Sequence, residues 1–424
     1  MHAKFQYRKA IIKLNSSSKS KRLQLAFLLG LLSLLGPFTI DTYLPAFPTI
    51  VTDYHTTASL VQISLTTCLL GLAIGQLIIG PMSDVQGRRK PLLIFLSLYF
   101  LSSLTCAIAP NIYVLIVSRF IQGFAAAGGL VISRAIVRDI YSGRELTKFF
   151  ALLMLVGNLG PIVAPVLGGA ILAFADWKVV FLVLTGIGVL LTFIVAVRLE
   201  ESLPVERRIP SNLTQVVKNF GSLLKDREFA GYAFAQGFVI GGIFAYVSGI
   251  SFVYQNIYGV SPQVFSLLFG VNGLGLIMGT QLVGRYSEQV SEKAFLKIGL
   301  LIANVSSILL LIAILAKAPL LAVAIPIFCF VSSISIIATS SFSLAMETKG
   351  HVAGSASALL GVLPFLIGSL AAPLVGVAGE YTAVPMGILI FAASVLAFLS
   401  YYVLVRKGSV KVSDAKPVVH DHHV

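Results

Sequence analysis

Charge is scarce in this sequence. Only 11% of its 424 residues are Asp, Glu, Lys or Arg, and Asp and Glu together number 17. Hydrophobic residues make up 57%, and the mean hydropathy is +0.93. A water-soluble domain needs more charge on its surface, so this composition excludes one and indicates a chain whose outer surface faces lipid.

Cysteine and clustered metal ligands are scarce as well. The three cysteines, Cys68, Cys106 and Cys329, all fall inside apolar runs, which excludes a secreted disulfide framework. The His-rich C-terminal HDHHV has no fixed scaffold, and no cluster of His, Asp and Glu is visible elsewhere. We therefore expect neither a metal nor a cofactor, and an enzyme embedded in the membrane is disfavoured.

Long apolar runs dominate what is present. We count about twelve, each close to the roughly 20 residues that cross the hydrocarbon core. The fold predicted is an all-α membrane protein with twelve transmembrane helices in two six-helix halves. The predicted runs are 23–47, 58–79, 91–109, 112–132, 149–173, 179–197, 229–255, 263–283, 295–316, 319–342, 353–376 and 384–405.

The net charge of +14 is distributed unevenly. Basic residues crowd the two tails, alternate loops and the central linker, whereas the other loops hold only Lys178 and Lys317. This is the positive-inside pattern, so we expect both termini in the cytoplasm and no nucleic-acid partner.

The predicted units are a disordered tail at 1–22, a six-helix bundle at 23–197, a cytoplasmic linker with an amphipathic helix at 198–228, a second bundle at 229–405 and a tail at 406–424.

An internal repeat supports two related halves. The segment GLAIGQLIIGPMSD begins at Gly71, and GLIMGTQLVGRYSE begins at Gly275. At this offset of 204 (275 − 71), Gly71, Gly75, Gly80 and Ser83 fall on identical residues, and Asp84 falls on Glu288. Two long copies of this kind are typical of secondary transporters.

Asp41 and Arg119 are the only ionisable side chains that we place well inside the hydrocarbon. Counted from the outer ends of their runs, they lie roughly 9 and 13 Å deep. A charge at that depth must be paired or line a wet cavity. Burial disfavours an ionised carboxylate and a nearby arginine favours it, so this competition can switch protonation during transport.

The turn from Gly80 to Lys90 is strongly charged. Asp84 is predicted to cap the helix that follows, and Gly87 permits a tight bend. Arg88 is expected to pair with an acid on a neighbouring helix end, and Asp139 is the candidate. Such a cluster would latch one conformation of a transporter and be released in the other.

Four motifs stand out in the sequence. Their residues are Gly80, Asp84, Gly87, Arg88 and Arg89 in the loop motif G-x-x-x-D-x-x-G-R-[RK]; Arg119, Gln122 and Gly123 in R-x-x-Q-G; Gly157, Gly160, Pro161, Pro165, Gly168 and Gly169 in G-x-x-G-P-x-x-x-P-x-x-G-G; and Asp41, Tyr43, Leu44, Pro45 and Ala46 in D-x-Y-L-P-A. These motifs resemble those of the major facilitator superfamily, and in particular of its twelve-span drug:proton antiporters of the Bcr/CflA type, where the third is the antiporter motif.

The resemblance implies export of drugs or other small amphipathic compounds across the bacterial inner membrane by alternating access, in exchange for protons. By this analogy Asp41 carries the proton or faces a cationic substrate, Arg119 tunes it, and the chain works as a monomer in the lipid bilayer. Amide and aromatic side chains suit a broad pocket. The candidate substrate-binding residues are Tyr43, Gln122, Asn158, Gln236, Phe244, Tyr246 and Asn272.

Three other functions stay open at this stage. The substrate could be an endogenous metabolite or a siderophore. The same fold could serve a proton-coupled importer, which the antiporter motif disfavours. A receptor that transports nothing would tolerate neutralisation of Asp41, whereas a transporter would not.

Overall fold

The computed structural model describes residues 19–141, 143–208, 213–347, 349 and 353–406. The structure is helical throughout this part of the chain. Its helices are α1 (Lys19–Asp41), α2 (Phe47–Asp53), α3 (Ala58–Gln86), α4 (Arg89–Ala107), α5 (Ile112–Ile140), α6 (Gly143–Leu172), α7 (Lys178–Arg198), α8 (Leu213–Lys225), α9 (Arg227–Phe252), α10 (Pro262–Tyr286), α11 (Glu292–Leu315), α12 (Leu320–Met346), α13 (Ala353–Val375) and α14 (Val384–Ser400).

Eleven candidate spans in the described part are long and apolar enough to cross a membrane. The remaining long helix, α6, has 30 residues and carries the apolar stretch Leu159–Leu172. Large apolar side chains such as Phe193, Leu301 and Leu370 point outward and are 61–72% exposed, as expected where lipid covers the surface. The predicted all-α membrane fold with twelve long helices in two halves is confirmed.

Several helices extend beyond the apolar runs that predicted them. Helix α3 has 29 residues and is therefore about 44 Å long, whereas the hydrocarbon core is about 30 Å thick. Helices α5 and α6 likewise reach Ile140 and Gly143, well past the predicted limits at 132 and 149. Their polar ends project from the hydrocarbon, so charged residues such as Asp84 stand on helices rather than in loops.

Proline interrupts the helix inside the first span. Helix α1 stops at Asp41, and a 3-10 turn, Leu44–Ala46, leads into the short helix α2. Pro45 has no N–H to donate to the carbonyl of Asp41, which an uninterrupted helix would require. The predicted run 23–47 falls almost wholly within the candidate span Gln24–Asp53, but the helix is broken inside it, and Asp41 stands at a helix terminus.

Glycine allows helices α3 and α5 to cross at backbone contact. A Cβ atom at Gly71 would overlap the carbonyl oxygen of Phe120, and one at Gly123 would overlap that of Cys68. The internal repeat recreates this crossing in the second half, where Gly275 and Gly279 face Ser332 on α12. Small residues at such crossings are the usual way in which membrane helices approach closely.

Helices α1 and α3–α7 form the first half, and α9–α14 form the second. The halves meet through two helix pairs, α3 with α13 and α6 with α10. The end of the bundle that holds the turn Leu44–Ala46 is called the distal face here. The opposite end, where α8 lies, is called the linker face.

Helix α8 lies in the predicted linker. Its Leu223 is buried and its Leu224 is 39% exposed. Asn219 Nδ2 donates to Ser355 Oγ of the second half at 3.1 Å. The terminal segments 1–18 and 407–424 lie outside the described residues, so the disorder predicted for 1–22 stays a prediction for 1–18. For residues 19–22 it is wrong, because they form the start of α1.

Gly123→Ala is expected to lower the melting temperature of the detergent-purified protein by several degrees. The added methyl group would collide with the backbone of Cys68, which cannot rotate away as a flexible side chain would. The matched control is Gly186→Ala in α7, where a Cβ meets nothing within 4 Å. That change should leave the melting temperature unchanged or raise it, because alanine is the better helix former. Equal stability of the two variants would contradict the close crossing.

Candidate functional site

A cavity of about 210 Å³ lies between the two halves. Among the described residues of its lining, Asp41 is the one that carries a charge, and the others are almost entirely apolar. The lining residues are Gly36, Pro37, Ile40, Asp41, Leu72, Leu130, Pro161, Ile243, Phe244, Tyr246, Val247, Phe269, Asn272, Gly273, Leu276, Val331 and Phe365. A small apolar cavity with few polar groups is the usual form of a small-molecule site.

The second half supplies the polar and aromatic wall of this cavity. Asn272 Nδ2 donates to the hydroxyl oxygen of Tyr246 at 2.7 Å. The Tyr246 ring stacks on Phe269 with centroids 5.5 Å apart, and Phe244 lies 5.3 Å from Phe365. Because Asn272 occupies an acceptor position of the Tyr246 hydroxyl, the hydroxyl hydrogen remains available to an acceptor in the cavity.

The structure places only some of the predicted substrate-binding residues in this cavity. Phe244, Tyr246 and Asn272 line it, whereas Tyr43, Gln122 and Gln236 do not. Gln236 points instead toward the Leu360 carbonyl, at 3.4 Å. Asn158 lies outside the residues whose side chains are described. Phe269 and Phe365 also line the cavity, but in the sequence nothing distinguishes them from other aromatic residues of apolar helices.

Arg119 lies in a separate, closed pocket inside the first half. It is fully buried, and its Nη1 donates to Gln122 Oε1 at 2.5 Å. Gln122 in turn donates to Ser103 Oγ at 2.8 Å. The guanidinium carbon stands 4.1 Å from the ring centroid of Tyr43, a cation–π contact. Tyr43 and Gln122 therefore hold the arginine rather than line the cavity.

Asp41 and Arg119 form no ion pair with each other among the described residues. They face different spaces because Asp41 lines the cavity, while Tyr43, two residues later, turns into the first half and covers Arg119. The prediction from depth alone left open whether their faces meet. In this structure Tyr43 connects the two sites, because it follows Asp41 by two residues and its ring contacts Arg119.

The antiporter motif on α6 touches both α1 and the second half. A Cβ at Gly160 would overlap Pro37, and one at Gly168 would overlap the Thr42 carbonyl oxygen. On the adjoining face, a Cβ at Gly169 would overlap Ser266 of α10. Pro161 lines the cavity and Pro165 is buried, whereas a Cβ at Gly157 would meet nothing within 4 Å. This helix is thus wedged between the segment that bears Asp41 and the other half.

The loop motif forms an ionic cluster centred on Arg88. Its Nη1 donates to Asp84 Oδ1 at 2.6 Å and to Ser83 Oγ at 2.7 Å, and its Nε donates to Asp139 Oδ2 at 2.8 Å. Burial opposes the positive charge, but the bonds and charges of Asp139 and Asp84 outweigh it and raise the pKa of Arg88. The predicted contact between Arg88 and Asp139 is therefore present.

Glu201 completes the cluster, and sequence reasoning missed it. Its carboxylate accepts the backbone N–H of Arg88 at 2.7 Å and that of Arg89 at 3.1 Å, which caps α4. Two features of position 87 favour glycine. Its φ is +90°, and a Cβ atom there would overlap the Glu201 carboxylate. The prediction that Asp84 caps the following helix is wrong, since Asp84 lies within α3. Glu200 and Glu201 stand together at the start of the linker and match no motif by which Glu201 could be singled out.

The other members of the loop motif stay within the first half. Gly80 accepts the Ser83 hydroxyl at its carbonyl, and Arg89 Nη2 donates to the Ala196 carbonyl at 2.6 Å. The described partners of the Arg88 side chain belong to α3 and α5, and its backbone N–H is bound by Glu201 at the start of the linker. In this structure the cluster therefore stabilises the first half, and its described contacts do not join the first half to the second.

The second half has its own ion pair at the linker face. Asp226 precedes α9, accepts the N–H of Phe229 at 3.0 Å and pairs with Lys349. Partial burial favours the neutral carboxyl, but the bonds from Lys349 and Phe229 prevail and hold the pKa of Asp226 below its ordinary value. The pair joins the start of α9 to the loop between α12 and α13.

The comparisons with known proteins agree with this architecture. The family model described as Major Facilitator Superfamily matches residues 29–373. The chain belongs to the Major Facilitator Superfamily. A relative in Bacillus subtilis named "Uncharacterized MFS-type transporter YdgK" is 55% identical over 93% of this chain and 98% of its own length. The "Bicyclomycin resistance protein homolog" of Haemophilus influenzae is 34% identical over 90% of this chain and 96% of its own length.

A solved structure shows the same superfamily fold. A bacterial homolog of the human lysosomal transporter Spinster, in an inward-facing and unoccupied conformation, superposes with a TM-score of 0.73 and 14% sequence identity. The match covers 92% of this chain and 99% of that one. The predicted resemblance to the Bcr/CflA-type members of the superfamily is confirmed. The protein is a multi-pass membrane transporter of small molecules and not an enzyme.

Arg88→Lys is expected to slow transport at least about tenfold and to leave substrate affinity within about twofold. Lysine keeps the charge but lacks the planar fork that reaches Asp84, Ser83 and Asp139 together, and bonds to charged groups are each worth roughly 1.5–3 kcal/mol. Transport rate and substrate binding are measured separately on the same purified protein. Lys90→Arg, an equally conservative change at an exposed neighbouring site, serves as the control. Loss of binding in Arg88→Lys would contradict a role confined to conformational change.

Proposed function

We propose that this transporter exports drugs or other small amphipathic compounds from the cytoplasm across the bacterial inner membrane in exchange for protons. The observation that carries the proposal is the position of Asp41, the one charged residue in the cavity lining. The names of relatives add support, since a Pseudomonas aeruginosa protein 29% identical over 88% of this chain is called "Chloramphenicol resistance protein".

Exchange follows from the electrostatics of a lone carboxylate in an apolar cavity. Its charged form is costly there unless something neutralises it. A proton neutralises it, and so does a cationic group of a bound compound, but the two compete for the same oxygen atoms. A site that releases one when it takes the other performs antiport.

Arg119 is proposed to act on Asp41 indirectly. It lies behind Tyr43 and makes no ion pair with Asp41. A direct ion pair would hold the carboxylate ionised and hinder proton uptake. The route proposed is through Tyr43, whose ring faces the guanidinium and which follows Asp41 by two residues.

The walls of the cavity favour a particular class of substrate. The first half contributes Asp41 and aliphatic side chains, and the second contributes aromatic rings with the Tyr246 hydroxyl. This arrangement suits a compound with an apolar body, a group that faces a carboxylate, and a hydrogen-bond acceptor for Tyr246. Neither wall offers a dense set of polar groups, which fits a broad range of compounds rather than one polar metabolite.

The topology proposed is that of the positive-inside pattern, with the linker face toward the cytoplasm. Described hydrogen bonds between the two bundles lie at the distal face, for example from Gln62 to the Ser248 carbonyl. The structure would then be closed toward the periplasm, the state in which an exporter collects its substrate from the cell.

Asp41→Asn is expected to abolish proton-coupled transport while the protein still inserts normally. In inside-out vesicles with an acidic lumen, a transported compound added outside should raise the lumenal pH with the wild type but not with the variant. The matched control is Asp176→Asn, which neutralises an exposed carboxylate in the loop between α6 and α7.

Two outcomes would count against the proposal. Full activity of Asp41→Asn would remove Asp41 as the coupling site. If no compound of a broad drug panel raises the lumenal pH with the wild type, drug export is abandoned in favour of a metabolite exporter or an importer.

A further inference from the structure

Neutral side chains of the second half close the distal face on backbone carbonyls of the first. Ser251 Oγ donates to the carbonyl oxygen of Leu44 at 2.6 Å, and Gln255 Nε2 donates to that of Pro45 at 3.0 Å. Gln255 Nε2 also donates to Ser251 Oγ at 2.8 Å, so the two side chains act as one unit. A further bond runs from Gln263 to the Gly169 carbonyl.

Proline makes the Leu44 carbonyl available to a second donor. In an uninterrupted helix this oxygen would accept the N–H of residue 48, but residue 48 is proline and has none. The Leu44 carbonyl instead accepts the N–H of Phe47 within the 3-10 turn, and the Ser251 hydroxyl from across the interface. The break in the first span thus creates the acceptors on which the second half closes.

The contact is dry, so its hydrogen bonds matter. Ser251 and Leu44 are both fully buried. The rings of Phe47 and Phe252 lie beside them, with centroids 5.8 Å apart. Where water is excluded, a donor or acceptor that loses its partner has no other hydrogen bond to replace it. The full desolvation penalty of that group then destabilises the state. The face must therefore stay closed with these bonds made, or open far enough for water to replace them.

We propose that Ser251 and Gln255 hold the distal gate of this transporter closed, by binding the backbone segment that begins at Asp41. The segment is short and stiff: Leu44 and Pro45 follow Asp41 by three and four residues, and Gly168 packs on Thr42 between them. A change of position at Asp41 is passed to the gate acceptors through a few buried peptide units. This link to Asp41, unlike the gate itself, rests on the coupling role proposed above.

The test measures how often the distal face opens. Spin labels are attached at Thr52→Cys in α2 and Tyr381→Cys between α13 and α14, two exposed positions on the distal side of opposite halves. Cys68 and Cys106 are buried, so only Cys329 is replaced, by serine. Distances between the labels are measured by pulsed electron resonance on the full chain in lipid nanodiscs. Ser251→Ala is expected to raise the ratio of long to short distances about three- to tenfold, the effect of one typical hydrogen bond.

The matched control is Ser248→Ala, one turn earlier on the same helix. Ser248 is equally buried, but its hydroxyl donates at 2.8 Å to the Ala372 carbonyl within its own half. Its removal should leave the distance ratio unchanged. Gln255→Leu is the second gate variant and should shift the ratio in the same direction as Ser251→Ala. If neither gate variant differs from Ser248→Ala, the gate assignment is overturned.

Asp41→Asn in the same assay separates the gate from the coupling role. A changed distance ratio in this variant supports the link between Asp41 and the gate. If the gate variants shift the ratio and Asp41→Asn does not, the gate stands and the link to Asp41 fails. If only Asp41→Asn shifts it, Asp41 controls the opening by a route other than Ser251 and Gln255.

Discussion

A carboxylate in an apolar cavity, with no cation among the described lining residues, is the constraint on which this structure depends. An ionised Asp41 has only apolar walls and the polar pair Tyr246 and Asn272 around it. Such a group costs several kcal/mol in membrane hydrocarbon, and structural stability alone does not account for its presence. Around it, α1 ends, the chain turns, and the two halves meet. The site is thus built where the protein is least able to tolerate a fixed charge.

Backbone contacts hold this site in place more than side-chain bonds do. Gly160 and Gly168 let α6 press directly on the end of α1, while Gly71 and Gly123 do the same for α3 and α5. Burying apolar side chains gains little free energy when they leave lipid rather than water. Close backbone packing therefore supplies much of the free energy of helix association. Such contacts also adjust poorly to small shifts of the helices, because a backbone, unlike a side chain, cannot change rotamer. Movement at the distal face must therefore be a rotation of whole halves.

Sequence reasoning found what is encoded by periodicity and spacing. Hydropathy located the long helices, the fixed offset indicated two related halves, and the expected pairing of Arg88 with an acid on a neighbouring helix end pointed to Asp139. It failed where tertiary contacts decide. The rotation of α5 about its own axis decides whether Gln122 points into the cavity or toward Arg119. The apolar residues around Gln122 in the sequence do not indicate that rotation. Glu201 caps α4 from more than a hundred residues away, a contact that local helix rules assigned wrongly to Asp84.

The two halves share a packing rule but divide the chemistry. The first half holds the ionic cluster, the buried arginine and the cavity carboxylate, whereas the second supplies aromatic walls and neutral donors. This division suits a protein whose halves must separate. An ion pair across the moving interface would leave an uncompensated charge when broken, at a cost of several kcal/mol. A hydroxyl or an amide on a carbonyl exchanges its partner for water at far smaller cost. The described ion pairs, including the Arg88 cluster and the Asp226–Lys349 pair, therefore each lie within a single half, and the bonds that open are the weak ones.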